Sequence, residues 1–278
     1  MLLVTIINPR QAKAWNENYG IGARSGAVGN ASVTLSDIWS THHNQAGLAG
    51  LSSLQAGVFY ENRFGIKELG LKAASIAMPV PGISNGVFGL SFSQFGYSLY
   101  NDTKIGLGYA KQLGKKYSVG IQVNYLQTQM GEDYGSAGVI TAEAGLIAEL
   151  ITNLYFGVHI FNPTRVKLTE YKIQETNFSE RVPTIMRCGL RYKFSEKVQL
   201  SVETEKDVQY DPFFKAGIEY RAIEQLYIRG GIATDPGYNS FGFGVLLNKF
   251  CIDIAASKHQ VLGYSTQINI TYDFGKSE

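Results

Sequence analysis

Four histidines, two cysteines and a set of acidic and basic residues in the second half of the chain are the side chains that could do chemistry. His42 and His43 stand together shortly after Asp37, a trio that could ligate a metal. Adjacent residues on a turn rarely converge on one ion, and no Cys or further His stands at ligand spacing, so no metal is expected. His159 could work with a serine and an aspartate in hydrolysis, but no nucleophile motif accompanies it. A hydrogen-bonded structural histidine is the expectation. The Gly-x-Gly runs at 20–22, 106–108 and 242–244 lead into no helix, so they do not cradle phosphate. They suit close backbone approach or a curved wall. Cys188 and Cys251 fall at opposite strand parity and are expected to be free thiols. No catalytic residue and no cofactor are expected, and the chain reads as non-enzymatic.

The charged set has a pattern. Arg187 and Arg191, then Glu203 and Glu205, then Lys215 and Glu219, then Arg229, come from four consecutive segments with alternating sign, and Asp253 follows further on. Oppositely charged neighbours across antiparallel strands attract. These residues therefore predict a structural charge lattice, and a lattice needs strands to hold it.

The strands are legible as alternation. From about residue 53 onward, polar and apolar residues alternate with period two between turn signals. Fourteen such segments can be counted: 53–63, 68–78, 85–95, 103–113, 117–128, 138–149, 153–162, 183–194, 197–206, 212–222, 225–234, 239–248, 249–257 and 262–274. In 117–125, Val119, Ile121, Val123 and Tyr125 oppose Gly120, Gln122 and Asn124. In 186–194, Met186, Cys188, Leu190, Tyr192 and Phe194 oppose Arg187, Gly189, Arg191 and Lys193. Throughout the second half the charges keep to the non-apolar parity.

A soluble sandwich also alternates, but its wet face is dominated by Lys and Glu. Here the polar set is rich in Gly, Gln, Asn and Ser, and charged residues make up only 17% of the 278 residues. An Arg or Lys facing lipid at mid-bilayer costs about 2–4 kcal/mol, which would select this parity. No apolar run is long enough for a transmembrane helix, which says nothing against a barrel whose strands need only ~9–11 residues. The expectation is an all-β, 14-stranded antiparallel transmembrane β-barrel in the outer membrane of a Gram-negative bacterium, in contact with outer-membrane lipid. Connections at 114–116, 151–153, 195–197, 223–225 and 247–249 are tight and the intervening ones longer. That is the pattern of short periplasmic turns and longer extracellular loops. The net charge of +2 gives no reason to expect nucleic acid as a partner.

The N-terminus reads differently. Residues 2–7 form a short apolar run, and Ala12-Lys13-Ala14 resembles a cleavage site, so 1–14 is read as the remnant of a signal peptide. Residues 19–50 are rich in glycine and small side chains, with a helix start expected at Ser36 or Asp37. Gly22-Ala23-Arg24, Gly29, Ala31, Asp37 and Asn44-Gln45-Ala46-Gly47-Leu48-Ala49 resemble the opening of the fatty-acid-transporter-like (FadL-type) barrels and their type IX secretion relatives of the PorV and PorQ type. Gln45 departs from that pattern, which has proline there. The resemblance implies that 15–50 folds as an N-terminal plug in the periplasmic end of a barrel formed by 51–274, leaving 275–278 as a tail. Arg24, Asp37, Asn44, Gly47 and Leu48 are its candidate plug residues, and Arg24 could pair with carboxylates in the lumen.

Two functions follow from the resemblance. The first is an accessory subunit of a larger outer-membrane secretion or assembly machine, favoured because fourteen strands leave little chain for capture loops. The exposed connection 162–181, with Arg165, Lys167, Glu170 and Lys172, is then the candidate partner surface. The second is a passive channel for a hydrophobic ligand such as a fatty acid, which needs an apolar pocket and an opening in the wall. Phe88, Phe92, Phe95, Tyr97 and Tyr100 are candidates to line that pocket, or equally to face lipid.

Overall fold

The computed structural model describes residues 19–275 except 81, 83–85, 132–134, 174–175 and 236, and side chains are described outside 168–180. The expected signal remnant and most of the expected tail lie outside the described residues. Fourteen strands close into one antiparallel barrel. They are β1 (Gln55–Asn62), β2 (Gly70–Val80), β3 (Gly86–Tyr97), β4 (Tyr100–Leu113), β5 (Tyr117–Met130), β6 (Ser136–Ile151), β7 (Leu154–Phe161), β10 (Ile185–Lys193), β11 (Val198–Asp207), β12 (Phe213–Ile223), β13 (Leu226–Ala233), β14 (Tyr238–Leu247), β15 (Phe250–His259) and β16 (Gly263–Asp273). Each of the fourteen alternating segments became one wall strand. The barrel closes where β1 pairs with β16, from Gln55 opposite Asp273 to Asn62 opposite Thr266.

The connection after β7 is not the plain loop expected of it. It carries a separate two-stranded hairpin, β8 (Lys167–Ile173) with β9 (Thr176–Arg181), before the chain re-enters the wall at β10. Its base is fixed by Asn162, whose Nδ2 donates to the Val182 carbonyl at 2.8 Å. Arg165 and Lys167 are exposed there, and the side chains of Glu170 and Lys172 lie outside the described residues.

The tight turns follow from local chemistry. Asn153 (φ 69°), Asn248 (φ 50°) and Gly114 (φ 67°) supply the left-handed backbone that a short hairpin with right-twisted strands requires. The expected alternation of turn lengths has exceptions: His259 pairs with Gly263, which leaves β15–β16 a connection as short as 114–116, and β3–β4 is tight too. Tyr97 and Tyr100, which flank the connection of β3 to β4, already pair with each other on the long-loop side.

The wall is an inside-out protein. Its outer positions are apolar and bare, with Val58 58% and Ile121 62% exposed, and similar residues on neighbouring strands around the circumference. A soluble monomer rarely shows a contiguous apolar surface larger than a few hundred Å². Inward positions hold Glu143, Arg187, Glu203, Lys215, Glu219, Arg229 and Asp253, all buried. Lys72 is an outward-facing cation, set beside Tyr60 and Gln94 near the long-loop end of β2. A long side chain near the end of a strand can carry its ammonium to the interface.

The lumen is nonetheless not polar all round. Part of the β1–β4 side is apolar or small, with Phe59, Leu71, Ala73, Ala77, Val87 and Ala110, while buried Glu61, Asp102 and Lys104 also stand on these strands. Most of the charge lattice lies on the later strands, β10 to β15.

Candidate functional site in the barrel lumen

Residues 19–50 run through the lumen between these two sides. On the charged side the segment is held by side chains reaching its backbone. Asn269 accepts from the Ala23 amide at 2.7 Å, and one oxygen of Glu203 accepts from both Ser32 and Val33 amides at 2.7 Å. Near the long-loop end Asn30 donates to the Tyr238 hydroxyl at 2.6 Å. On the apolar side Ile21, Ile38, Trp39 and Leu48 pack against the β1–β4 lining. The segment thus lies along much of the lumen, beyond the short-turn end where the sequence placed it. Its local turns are short, α1 (Ala23–Ala27) and α2 (Ser40–His43). Asp37 does not cap α2, whose N-cap is Trp39; its Oδ1 accepts from the Trp39 amide at 2.9 Å.

Close approach to the wall needs missing side chains. A Cβ on Gly157 would lie 2.7 Å from the Val33 carbonyl oxygen, and one on Gly231 would overlap the backbone of Val28 and Gly29. Gly47 is equally confined, between the Leu35 carbonyl and Ser40. Asn44 ties the segment to two strands, its Nδ2 donating to Val33 at 2.7 Å and to Leu146 and Val158 at 3.3 Å.

Three knots of charge hold the lumen. In the first, buried Glu143 on β6 accepts from Asn124 at 2.8 Å, from Gln45 at 2.8 Å, and from Lys104 across the intervening strand, and pairs with His159 Nε2 at 2.9 Å. Gln45, the departure from the family pattern, is therefore the residue that hooks the segment onto this carboxylate; proline has no side-chain donor to do so. In the second knot, Glu205 binds Arg187 at 2.8 Å and Lys215 at 2.6 Å, and Lys215 also reaches Glu203 at 3.0 Å. In the third, Glu219 binds Arg24 at 2.9 Å and Arg229, Arg24 also reaches Asp37 at 3.1 Å, and Arg229 continues to Asp253 at 2.7 Å.

Of the eight residues expected in the lattice, Arg191 does not join. Register puts Ser201 and Tyr155 opposite it, neither of them an acid. The lattice expectation missed Glu143 and Lys104 because their strands, β6 and β4, are separated by β5. The signal was the polar Gln122 and Asn124 at inward positions between them.

The remaining candidates resolve simply. His159 pairs with Glu143, and among the described residues no hydroxyl is hydrogen-bonded to it. His42 Nε2 lies 3.1 Å from the buried Ser75 hydroxyl. Burial, helped by Lys104 and opposed by Glu143, pushes the His42 imidazole down to about 3. Since the folded value lies below the unfolded one, docking of the segment is fullest above about pH 7 and weakens as pH falls. At pH 5 the loss is about 2 kcal/mol from this histidine. Amide exchange over 38–48 at pH 7 and pH 5 checks it: protection is expected to fall at the lower pH. Cys188 and Cys251 are both free. Phe88, Phe92 and Tyr97 are exposed; Phe95 turns inward, 4.8 Å from the Tyr19 ring, and Tyr100 donates to Asp102 at 3.1 Å.

A closed 14-stranded barrel with a polar-and-apolar lumen and a bare apolar exterior defines an outer-membrane β-barrel, and the protein belongs in the outer membrane of a Gram-negative bacterium. No family model matches the sequence, and no curated protein matches it. Solved structures do. The Pseudomonas putida toluene transporter TodX is similar at 13% identity with a TM-score of 0.66, over 92% of this chain and 97% of that one. A Pseudomonas aeruginosa FadL homologue is similar at 13% identity and TM-score 0.62, over 90% and 98%. Acinetobacter baumannii Omp33 is similar at 8% identity and TM-score 0.52, over 80% and 98%. The chain therefore has the FadL-type barrel fold.

Proposed function

We propose that the protein is a passive outer-membrane channel for small hydrophobic molecules, with residues 19–50 as its plug and the short turns facing the periplasm. The observation that carries this reading is the apolar side of the lumen, where Phe59, Leu71, Ala73 and Val87 meet Ile21, Trp39 and Leu48. A strut would need no apolar strip along its lumen. The transport of toluene by TodX and the membership of a second similar barrel among FadL homologues fit the same reading. The accessory role in type IX secretion, favoured on the sequence, draws no support from these likenesses and gives way to the channel.

Passage needs movement. The wall ladder is continuous on both edges of β3, from Leu71 opposite Phe95 to Val80 opposite Gly86 and from Gly86 opposite Lys111 to Tyr97 opposite Tyr100. The expected opening in the wall is not present there among the described residues. An apolar molecule would slip between the segment and the apolar part of the β1–β4 lining, where the packing of Ile21, Trp39 and Leu48 is non-directional, more readily than through the ion-paired side. Uptake of labelled toluene and oleate by Gram-negative cells carrying the folded barrel, against cells lacking it, tests the proposal. A several-fold faster entry of at least one is expected. Equal rates with the barrel present and folded would overturn it.

A further inference from the structure

Arg24, Lys104, Arg187, Lys215 and Arg229 each sit on at least one carboxylate. Arg191 sits on none. It is 7% exposed, its Nε is buried without a hydrogen-bond partner, and among the described residues it forms no ion pair. Its guanidinium lies over Tyr155, with Cζ 4.6 Å from the ring centroid, and the Lys193 ammonium approaches the same ring at 5.3 Å. The carboxylates that share its cavity do not pair with it: Asp37 and Glu219 are held by Arg24, Glu219 and Asp253 by Arg229, Asp273 accepts from Ser53 and Gln55, and Glu196 is exposed on the turn after β10. A largely buried cation without a counter-charge favours any anion that can reach it.

The cavity is at the short-turn end. It has a volume of about 440 Å³ and is lined by Arg191 and Lys193 together with Gln199, Trp39 and Tyr227. That volume suits a small organic molecule rather than a bare ion. A planar guanidinium presents paired N–H groups that match the two oxygens of a carboxylate or phosphate. Tyr155 lies against that fork, and Lys193 adds a second positive charge beside it.

We propose that this cavity is a binding site for a small organic oxyanion, a carboxylate or a phosphate ester, seated on the unpaired Arg191 with Lys193 as its second cation. The site does not depend on the channel reading: an anion arriving from the short-turn side would bind whether or not apolar molecules cross the barrel.

The test uses the full chain in detergent micelles, titrated with benzoate and with inorganic phosphate at fixed chloride and followed calorimetrically. Saturable binding of at least one probe is expected, weakened about tenfold or more in Arg191→Gln, since an unpaired charge-assisted fork is lost. Arg191→Lys, which keeps charge and loses the fork, should weaken binding several-fold and guards against a glutamine variant that fails to fold. Benzoate alone binding assigns a carboxylate; phosphate alone assigns a phosphate group. Absence of saturable binding of either probe to the folded wild type, or equal binding in folded Arg191 variants, would overturn the proposal.

Discussion

Replacing Glu143 with leucine is expected to destabilise the folded barrel by about 3–5 kcal/mol, the largest effect of any single change in the lumen. The carboxylate is 2% exposed and engages four groups: Lys104, Asn124, Gln45 and His159. Removing it strands a buried ammonium on β4 and leaves several polar groups without their shared partner, and the penalty lies in those orphans rather than in the lost attraction. The double variant Glu143→Leu with Lys104→Met should therefore recover much of the loss. Urea unfolding of the barrel in micelles measures both. A single-variant cost below about 1 kcal/mol would show that Lys104 finds another partner and that Glu143 is no hub.

Gly231→Ala is expected to loosen the lumen segment while leaving the wall intact. An added Cβ would overlap the backbone of Val28 and Gly29, which cannot rotate away as a side chain could. Overpacking of this kind costs about 1–3 kcal/mol, which raises the undocked population by roughly 5- to 150-fold. The adjacent Gly230 is the control, because a Cβ there touches only the Ser240 carbonyl oxygen at 3.9 Å. Limited proteolysis within 19–50 should quicken in Gly231→Ala and not in Gly230→Ala. Bilayer conductance should rise in parallel if the segment is what closes the lumen. Identical proteolysis of the two variants would mean that the segment is not held by close approach to β13.

The wall was legible because strand periodicity is a local property. Alternation at Val119 to Tyr125 or Met186 to Phe194 assigns each residue to a face without knowledge of any neighbour, and lipid outside leaves little freedom to break it. Adjacent pairs of the lattice, such as Arg187 with Glu205 and Glu219 with Arg229, were equally accessible because hairpin register follows from turn length. The cluster on Glu143 was not, since Lys104 reaches it across β5 and Gln45 reaches it from nearly a hundred residues away.

By itself, then, the sequence determined the strand count, the faces and the membrane, all consequences of period-two patterning against a lipid solvent. Tertiary structure alone decided that the lumen has an apolar side, that residues 19–50 lie along it, and that Arg191 meets Ser201 and Tyr155 instead of an acid. Those facts depend on which strands face one another across a closed cylinder, and closure is a property of the whole chain that no local pattern encodes.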